Sequence, residues 1–341
     1  MSVRVLTLAA VVGLLLAACS AGAQQSAGPV ALRLGYYPNV THATPLVGVA
    51  SGIYSDKLGA GVTLDTKTFN AGPEAAEALL SGSVDATFIG PNPAVNAFIK
   101  SSGQAIRIVA GSTSGGAFLV VKDGINAAAD LRGKKIASPQ LGNTQDVALR
   151  SWLTSQGFTT DAQGGGDVSV APQGNPETLE TFRQGQIDGA WVPEPWATQM
   201  IKAGGHVLVA ERDLWPDGQY VTTHLIVSTS FLQAHPDVVK HLIEGQLAAT
   251  DYVNDHPTEA QATVASEITR ITGSSMSADV LAGSWRNLTF TVDPIASSLQ
   301  TSADAAKQLG FLQTSDLKGI YDLTLLNEVL TTAGRPTIAA P

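Results

Sequence analysis

The sequence predicts an α/β protein built from two similar lobes, and three observations predict it. Strand-sized apolar runs alternate with helix-sized segments from Val30 onward. Part of that pattern recurs in the second half of the chain. A further apolar run, Leu225 to Val227, then returns after the repeat, as if the chain rejoined its first sheet. With 341 residues, 44% apolar and 14% charged, there is enough material for two packed domains of ordinary size.

Val30 to Gly35 reads as the first strand, with Leu32 and Leu34 on one face. Residues 36–43 form a loop, and Thr44-Pro45 resembles an N-cap followed by proline at the first helical position. Val62 to Phe69 alternates as a strand. Pro73 opens a helix that runs to Leu80 and is closed by Gly82. Val84 to Ile89 is a short buried strand, Asn92-Pro93 starts another helix, and Ile106 to Ala110 is a further strand. Strands followed by helices in this way argue for a mainly parallel sheet.

In the second half, Pro176-Glu177, Gly185 and Asp188 repeat Pro73-Glu74, Gly82 and Asp85 at one constant offset. After the strand, Pro193-Glu194-Pro195 repeats Pro91-Asn92-Pro93 one residue early. The lobe boundary is expected near Gly115-Gly116, where Ala117 to Val121 begins a new strand, and the return near Thr222-Thr223-His224. The expected division is therefore 30–116 with 225–341 in one lobe and 117–224 in the other. The C-terminal third reads as helices over 236–255, 257–272, 277–285, 297–309 and 322–330.

Residues 1–18 differ from all that follows. Arg4 supplies a short positive region, Val5 to Leu16 an apolar run too short to span a bilayer comfortably, and Leu16-Ala17-Ala18-Cys19 resembles a bacterial lipobox. The expectation is a signal peptide over 1–18, lipid on Cys19, and a flexible tether over 19–29. The protein would then work outside the cytoplasmic membrane, periplasmic or at the cell surface, held there by its lipid.

Charge and composition exclude several functions. The net charge is −9 with no basic run, which opposes nucleic-acid binding. A single cysteine excludes an intrachain disulfide and a thiolate metal cluster. The six histidines show no metal-like spacing with carboxylates, and neither a G-x-S-x-G elbow nor H-E-x-x-H is present. Phosphate-binding patterns of the G-x-x-x-x-G-K-[ST] and G-x-G-x-x-G kinds are absent. The expectation is a monomeric binding protein with neither catalysis, cofactor nor metal.

In open α/β sheets, ligands bind outside the carboxyl ends of the strands. Four helix starts are expected there: Thr44-Pro45, Asn92-Pro93, Gly142-Asn143-Thr144 and Glu194-Pro195. Helix starts present free N–H groups and a positive dipole end, which suits an oxyanion without an arginine. The Gly142-Asn143-Thr144 turn is either a close-approach ligand site or a plain capped helix. Tyr36, Tyr37, Asn39 and His42 share the first of these loops. Trp191 could wall a pocket or lie in the core, and Glu194 could accept from a ligand or simply sit at a helix start beside Trp196.

Taken together, the motifs resemble the solute-binding proteins of ABC importers of the nitrate/sulfonate/taurine type. The resemblance rests on Leu34-Gly35-Tyr36-Tyr37-Pro38-Asn39, Phe69-Asn70-Ala71-Gly72-Pro73-Glu74, Gly82-Ser83-Val84-Asp85-Ala86 and Gly90-Pro91-Asn92-Pro93-Ala94. It rests also on Asp130-Leu131-Arg132-Gly133-Lys134-Lys135, Gly142-Asn143-Thr144-Gln145 and Gly185-Gln186-Ile187-Asp188-Gly189-Ala190-Trp191, spanning about residues 30–230. It implies a two-lobe, type 2 periplasmic-binding-protein fold with a hinge and a ligand in the interlobe cleft. It implies as partners a small anionic or zwitterionic solute and a membrane permease driven by an ATPase.

The cleft residues it implies are Tyr37, Asn39 and His42 in the first loop; Asn70; Gly90, Pro91 and Asn92; Ser112; Gly142, Asn143, Thr144 and Gln145; and Trp191, Glu194 and Trp196. An alkanesulfonate or taurine is the leading solute, with nitrate, a thiamine pyrimidine precursor or an aromatic acid as alternatives. An enzyme on the same fold is a further alternative, which the placement of the only cysteine opposes. Sulfonate binders of this type often carry a serine-rich turn in place of Gly142-Asn143-Thr144 and Asp-Pro-Tyr in place of Glu194-Pro195-Trp196, so the solute is left open.

Overall fold

The computed structural model describes residues 29–161 and 163–339. The expected signal peptide, Cys19 and most of the tether lie outside the described residues.

The chain opens with β1 (Val30–Tyr36), a single 3-10 turn (Val40–His42), α1 (Ala43–Ala50), α2 (Ile53–Leu58) and β2 (Val62–Thr68). Then follow α3 (Gly72–Leu80), β3 (Ala86–Ile89), α4 (Pro91–Lys100) and β4 (Ile106–Gly115). The second set is β5 (Ala117–Lys122), β6 (Lys135–Pro139), α5 (Thr144–Ser155), β7 (Ser169–Gln173), α6 (Asn175–Arg183), β8 (Gly189–Pro193), α7 (Trp196–Lys202) and β9 (Gly205–Ala210). The chain returns through β10 (Val221–Ser228), α8 (Thr229–Ala234), α9 (Pro236–Asp255), α10 (Pro257–Thr272) and α11 (Ala278–Trp285). It ends with β11 (Leu288–Phe290), α12 (Ala296–Gln308) and α13 (Thr324–Thr332).

Two sheets result, ordered β11-β4-β10-β3-β1-β2 and β7-β6-β8-β5-β9. Leaving aside β11 at the edge, the two have the same plan. In the first, β1 lies parallel between β2 and β3, and β10 runs antiparallel between β3 and β4. In the second, β6 lies parallel between β7 and β8, and β5 runs antiparallel between β8 and β9. The sequence repeat is the trace of this plan. Asp85 accepts from the backbone N–H of Arg33 and Asp188 from that of Lys135, so each aspartate pins the strand that follows it, β3 or β8, to its parallel neighbour, β1 or β6. Gly82 and Gly185 take up left-handed backbone after α3 and α6, at φ of 72° and 77°.

Each sheet is buried on both faces. One apolar cluster joins β1 and β3 to α1, α2, α9 and α10, and a second packs the opposite face against α3, α4 and α12. Two smaller clusters flank the second sheet. With both faces covered, every residue of β3 and β8 is buried, so neither alternates between core and solvent, and Thr87, the polar residue of β3, spends its hydroxyl on Phe88 O. The arrangement is the two-lobe α/β fold that the motifs imply.

Two boundaries differ from the sequence reading. The strand expected over Ile106 to Ala110 continues to Gly115. The residues expected at the return crossing, Thr222 to His224, lie inside β10, and the chain crosses back between Ala210 and Val221 instead. The physical reason is common to both. These strand ends are polar but β-branched and buried, and their hydroxyls bond to backbone of the facing segments. Thr113 Oγ1 donates to Thr41 O at 2.7 Å, and Thr222 Oγ1 donates to Gly115 O at 2.6 Å. Hydroxyls satisfied in this way let a polar sequence continue as buried strand.

Candidate functional site

The carboxyl ends of β1, β3 and β4 and the amino end of β10 meet at one edge of the first sheet. Across from them stand the ends of β6 and β8. The β1 end is shaped by Asn39, whose Oδ1 accepts from Val40 N at 3.0 Å and starts the 3-10 turn that leads into α1. The β6 end repeats the device: Asn143 Oδ1 accepts from Thr144 N at 2.8 Å and starts α5. Thr44 is expected as a cap, but it is the second residue of α1, whose cap position, His42, makes no side-chain cap bond.

The β6–α5 turn is held from below by a residue the sequence reading passed over. Asp146 is buried in the first turn of α5 and accepts from Ser138 Oγ at 2.6 Å and Gly142 N at 2.9 Å. Arg150 Nε completes its shell at 3.0 Å. A carboxylate at the third helical position reaching back to a free N–H is a spacing the sequence does display. The turn above it contains Gln140 at φ 31° and Gly142 at φ 72°, both in the left-handed region.

The two halves of the site are in contact. Gly90 caps α4, with Pro91 and Asn92 as the first helical residues, and any Cβ on Gly90 would stand 2.6 Å from Thr144 Oγ1 of the opposite lobe. Asn143 Oδ1 comes within 3.4 Å of where a Gly72 Cβ would be. Gln140 Nε2 donates to Glu74 Oε1 at 3.3 Å, and Val147 of α5 joins the apolar cluster of the first lobe. The lobes are therefore closed on one another at this edge.

The sequence-predicted residues divide into three groups. Asn39, His42, Pro91, Asn92, Ser112, Asn143, Thr144 and Gln145 are all buried at this edge, while Tyr37, Gly90 and Gly142 are half-buried there. Asn92 donates to Ser302 O at 3.2 Å, which ties α4 to α12. Asn70 is exposed, and only its backbone bonds, to Glu74.

The third group is the 191–196 segment. Trp191 is fully buried in the core of the second lobe, its indole N–H donating to Glu211 Oε2 at 2.7 Å and its ring lying 6.0 Å from that of Trp152. Trp196 packs on the edge of the other cluster in that lobe. The carboxylate of Glu194 accepts from Thr198 N and Oγ1 and from Asn287 Nδ2 at 2.6 Å, with Ser284 Oγ, which also donates to Val280 O, at 3.2 Å. Trp191, which the sequence admits as a pocket wall or as core, lies in the core. Glu194 sits at a helix start and also spans the lobes, which neither sequence alternative anticipated.

The electrostatics of the edge come from backbone, not from cations. None of the segments 36–44, 90–93, 112–114, 140–145 and 222–224 carries a lysine or arginine. Burial holds the His42 imidazole down at about 3, so it is neutral, and its Nδ1 accepts a long 3.4 Å bond from Tyr37 N. Burial, with Glu74 nearby, pushes the Tyr37 phenol well above its ordinary range, so its O–H stays protonated. At this edge the hydroxyl oxygens of Tyr37, Thr44, Ser112 and Thr144 are buried and have no hydrogen-bond partner among the described residues. A buried hydroxyl without a partner costs about 1–3 kcal/mol, and a hydrogen-bonding solute offsets that cost. Neutral hydroxyl donors joined to the starts of α1, α4 and α5 can receive a small oxyanion or polar solute.

Comparison with known proteins agrees with this geometry. A family model described as NMT1-like matches residues 25–269. A Brucella abortus (strain 2308) protein described as a binding protein is 28% identical over 235 residues, covering 68% of this chain and 69% of that protein. The taurine-binding periplasmic protein of Escherichia coli (strain K12) is 28% identical over 192 residues, 55% of this chain and 57% of its own length. Among solved structures, the alkanesulfonate-binding protein SsuA of Xanthomonas axonopodis pv. citri bound to MOPS superimposes with a TM-score of 0.71 at 19% identity, covering 86% of this chain and 97% of that one.

Proposed function

Because the chain belongs to the NMT1-like family, we propose that it is the extracytoplasmic solute-binding component of an ABC importer, taking a small organic anion into its interlobe cleft. The observation that carries this reading is the set of buried, unpartnered hydroxyls contributed by both lobes, Tyr37, Thr44 and Ser112 from one and Thr144 from the other. A solute bonded to donors on both lobes favours the closed form by its differential affinity for that form. The closed form then presents both lobes together to a permease.

An alkanesulfonate or taurine is the proposed solute. The taurine-binding and alkanesulfonate-binding proteins named above take solutes of that class, and the site meets negative charge with helix starts and O–H donors. Lobe 1 comprises 30–116 and 225–341, and lobe 2 comprises 117–224, apart from the first residues of β10. The chain acts as a monomer without catalysis, and lipid on Cys19 keeps it near its permease.

Thermal unfolding in the presence of a solute panel tests this reading. The panel holds alkanesulfonates, taurine, nitrate, a thiamine pyrimidine precursor and aromatic acids. At a hundredfold excess over Kd the true solute stabilises the protein by about 2.7 kcal/mol. A Cys19→Ser chain should leave the membrane fraction and show the same shift. A panel without any shift overturns the binding role, and a shift with nitrate or an aromatic acid alone moves the solute class.

A further inference from the structure

The Glu194 carboxylate is fully buried, and its two oxygens take hydrogen bonds from both lobes. Thr198 N at 3.0 Å and Thr198 Oγ1 at 2.8 Å come from its own helix, α7. Asn287 Nδ2 at 2.6 Å comes from the turn after α11, on the other lobe, and Ser284 Oγ of α11 stands at 3.2 Å, its one proton shared with Val280 O at 2.8 Å. Its backbone N–H donates to Gly116 O at 2.7 Å, where the chain crosses between the sheets. A ligand contact at Glu194 would have to displace one of these donors.

The surroundings are shaped for the same contact. Gly283 of α11 faces Thr198, and a Cβ there would stand 3.0 Å from the threonine methyl. Lys202 at the far end of α7 pairs with Asp279 of α11 at 3.3 Å. Helix α7 is thus docked along α11, with a buried carboxylate at one end and an exposed ion pair at the other. The exposed pair contributes little, whereas hydrogen bonds to a buried charge are among the strong ones.

We propose that Glu194 is a positioning residue for solute capture, a latch that holds the lobes closed through Ser284 and Asn287 even before solute enters. This rests on the binding role proposed above but not on the solute. Opening the lobes would part the carboxylate from Asn287 and leave the Ser284 proton to Val280 O, so the latch biases the protein toward its closed form. Solute affinity scales with the fraction of protein in the competent form, so the latch would tune affinity without touching the solute.

The test measures the interlobe distance by electron spin resonance, without solute. Spin labels are placed at Glu77→Cys and Gln156→Cys, both exposed and one on each lobe, in a Cys19→Ser chain. The parent should populate the closed separation, and Asn287→Ala and Glu194→Gln should each move the distribution to longer distance. The double variant should move it no further than the stronger single one, because both act through one contact. Kd for whichever solute binds should rise severalfold in each single variant, with about tenfold, the worth of one hydrogen bond to a charge, as the ceiling when the parent is largely closed. Should Glu194→Gln fail to fold, Asn287→Ala, which leaves both donors from α7 in place, carries the test alone. A parent that is wholly open without solute, variants with the parent's distribution, or effects that add independently would each overturn the latch. A solute panel without hits would overturn the binding role and leave the distance result standing.

Discussion

At the scale of single residues, the site is governed by what is missing at Gly90 as much as by what is present. Its φ of −70° is open to any amino acid, so the glycine is not required by backbone conformation. It is required by Thr144, whose hydroxyl occupies the space a side chain would need. Gly90→Ala should therefore leave the fold intact and resist closure. Overpacking of this kind costs about 1–3 kcal/mol, so Kd should rise roughly tenfold, and solute-free stability should fall by no more than that cost, since the lobes can part to relieve it. Calorimetric titration beside thermal unfolding checks both, and an unchanged Kd would mean that closure does not bring these residues together. The identity of Gly90 as a close-approach residue was legible as part of a motif, but its reason was not, because Thr144 is remote in sequence and lies on the other lobe.

At the scale of elements, helix α5 presents the turn with most at stake. Asn143 caps it, and Asp146 ties its first turn to β6 and to Arg150. These two supports differ in kind. Asn143→Ala removes one cap bond, worth about 1 kcal/mol. Asp146→Ala leaves the Arg150 guanidinium buried without its counter-charge, which costs about 3–5 kcal/mol. Denaturant unfolding of the two variants should show that gap, and equal losses would argue that Arg150 finds another partner. The sequence displayed the turn and its cap clearly. It did not display the buried ion pair beneath, since Asp and Arg four apart on a helix is also the commonest surface pattern.

At the scale of the whole molecule, buried titratable groups set the acid response. Burial lowers His42 to about 3 and His224 to about 4, the latter against the opposing pull of the Pro294 carbonyl. Both start from 6.5, so the unfolded chain binds two more protons than the native one as pH falls below that value, and stability is lost. Glu211 opposes them. Burial raises it from 4.5 to about 7 against its bonds from Trp191 and Trp215, so the native state keeps a proton that the unfolded chain has released. Its contribution is present below 4.5 and is lost as pH rises through 7. Between about pH 5 and 6 the net difference is one proton, a fall of about 1.4 kcal/mol per unit of acidification. Glu211→Gln should steepen that slope, since it removes the proton uptake by the native state that opposes the two histidines. Denaturant midpoints across this range read the slope, and a parent with a flat profile would contradict the burial of these histidines.

The sequence by itself determined the α/β class, the paired lobes and the places where helices begin at strand ends. Those features are written in local patterns: apolar period, proline and glycine punctuation, and the repeated aspartates that pin β1 and β6. Tertiary structure alone decided which of the candidate residues meet. Trp191 went to the core because its indole found Glu211, Glu194 became a bridge because Ser284 and Asn287 lie opposite it, and Thr222 to His224 became strand because facing carbonyls accept the threonine hydroxyls. Each of these outcomes depends on a partner far away in the chain. A side chain's chemistry can be read from sequence, but whether its polar atoms are spent on the protein or left for a solute depends on what the fold sets beside them.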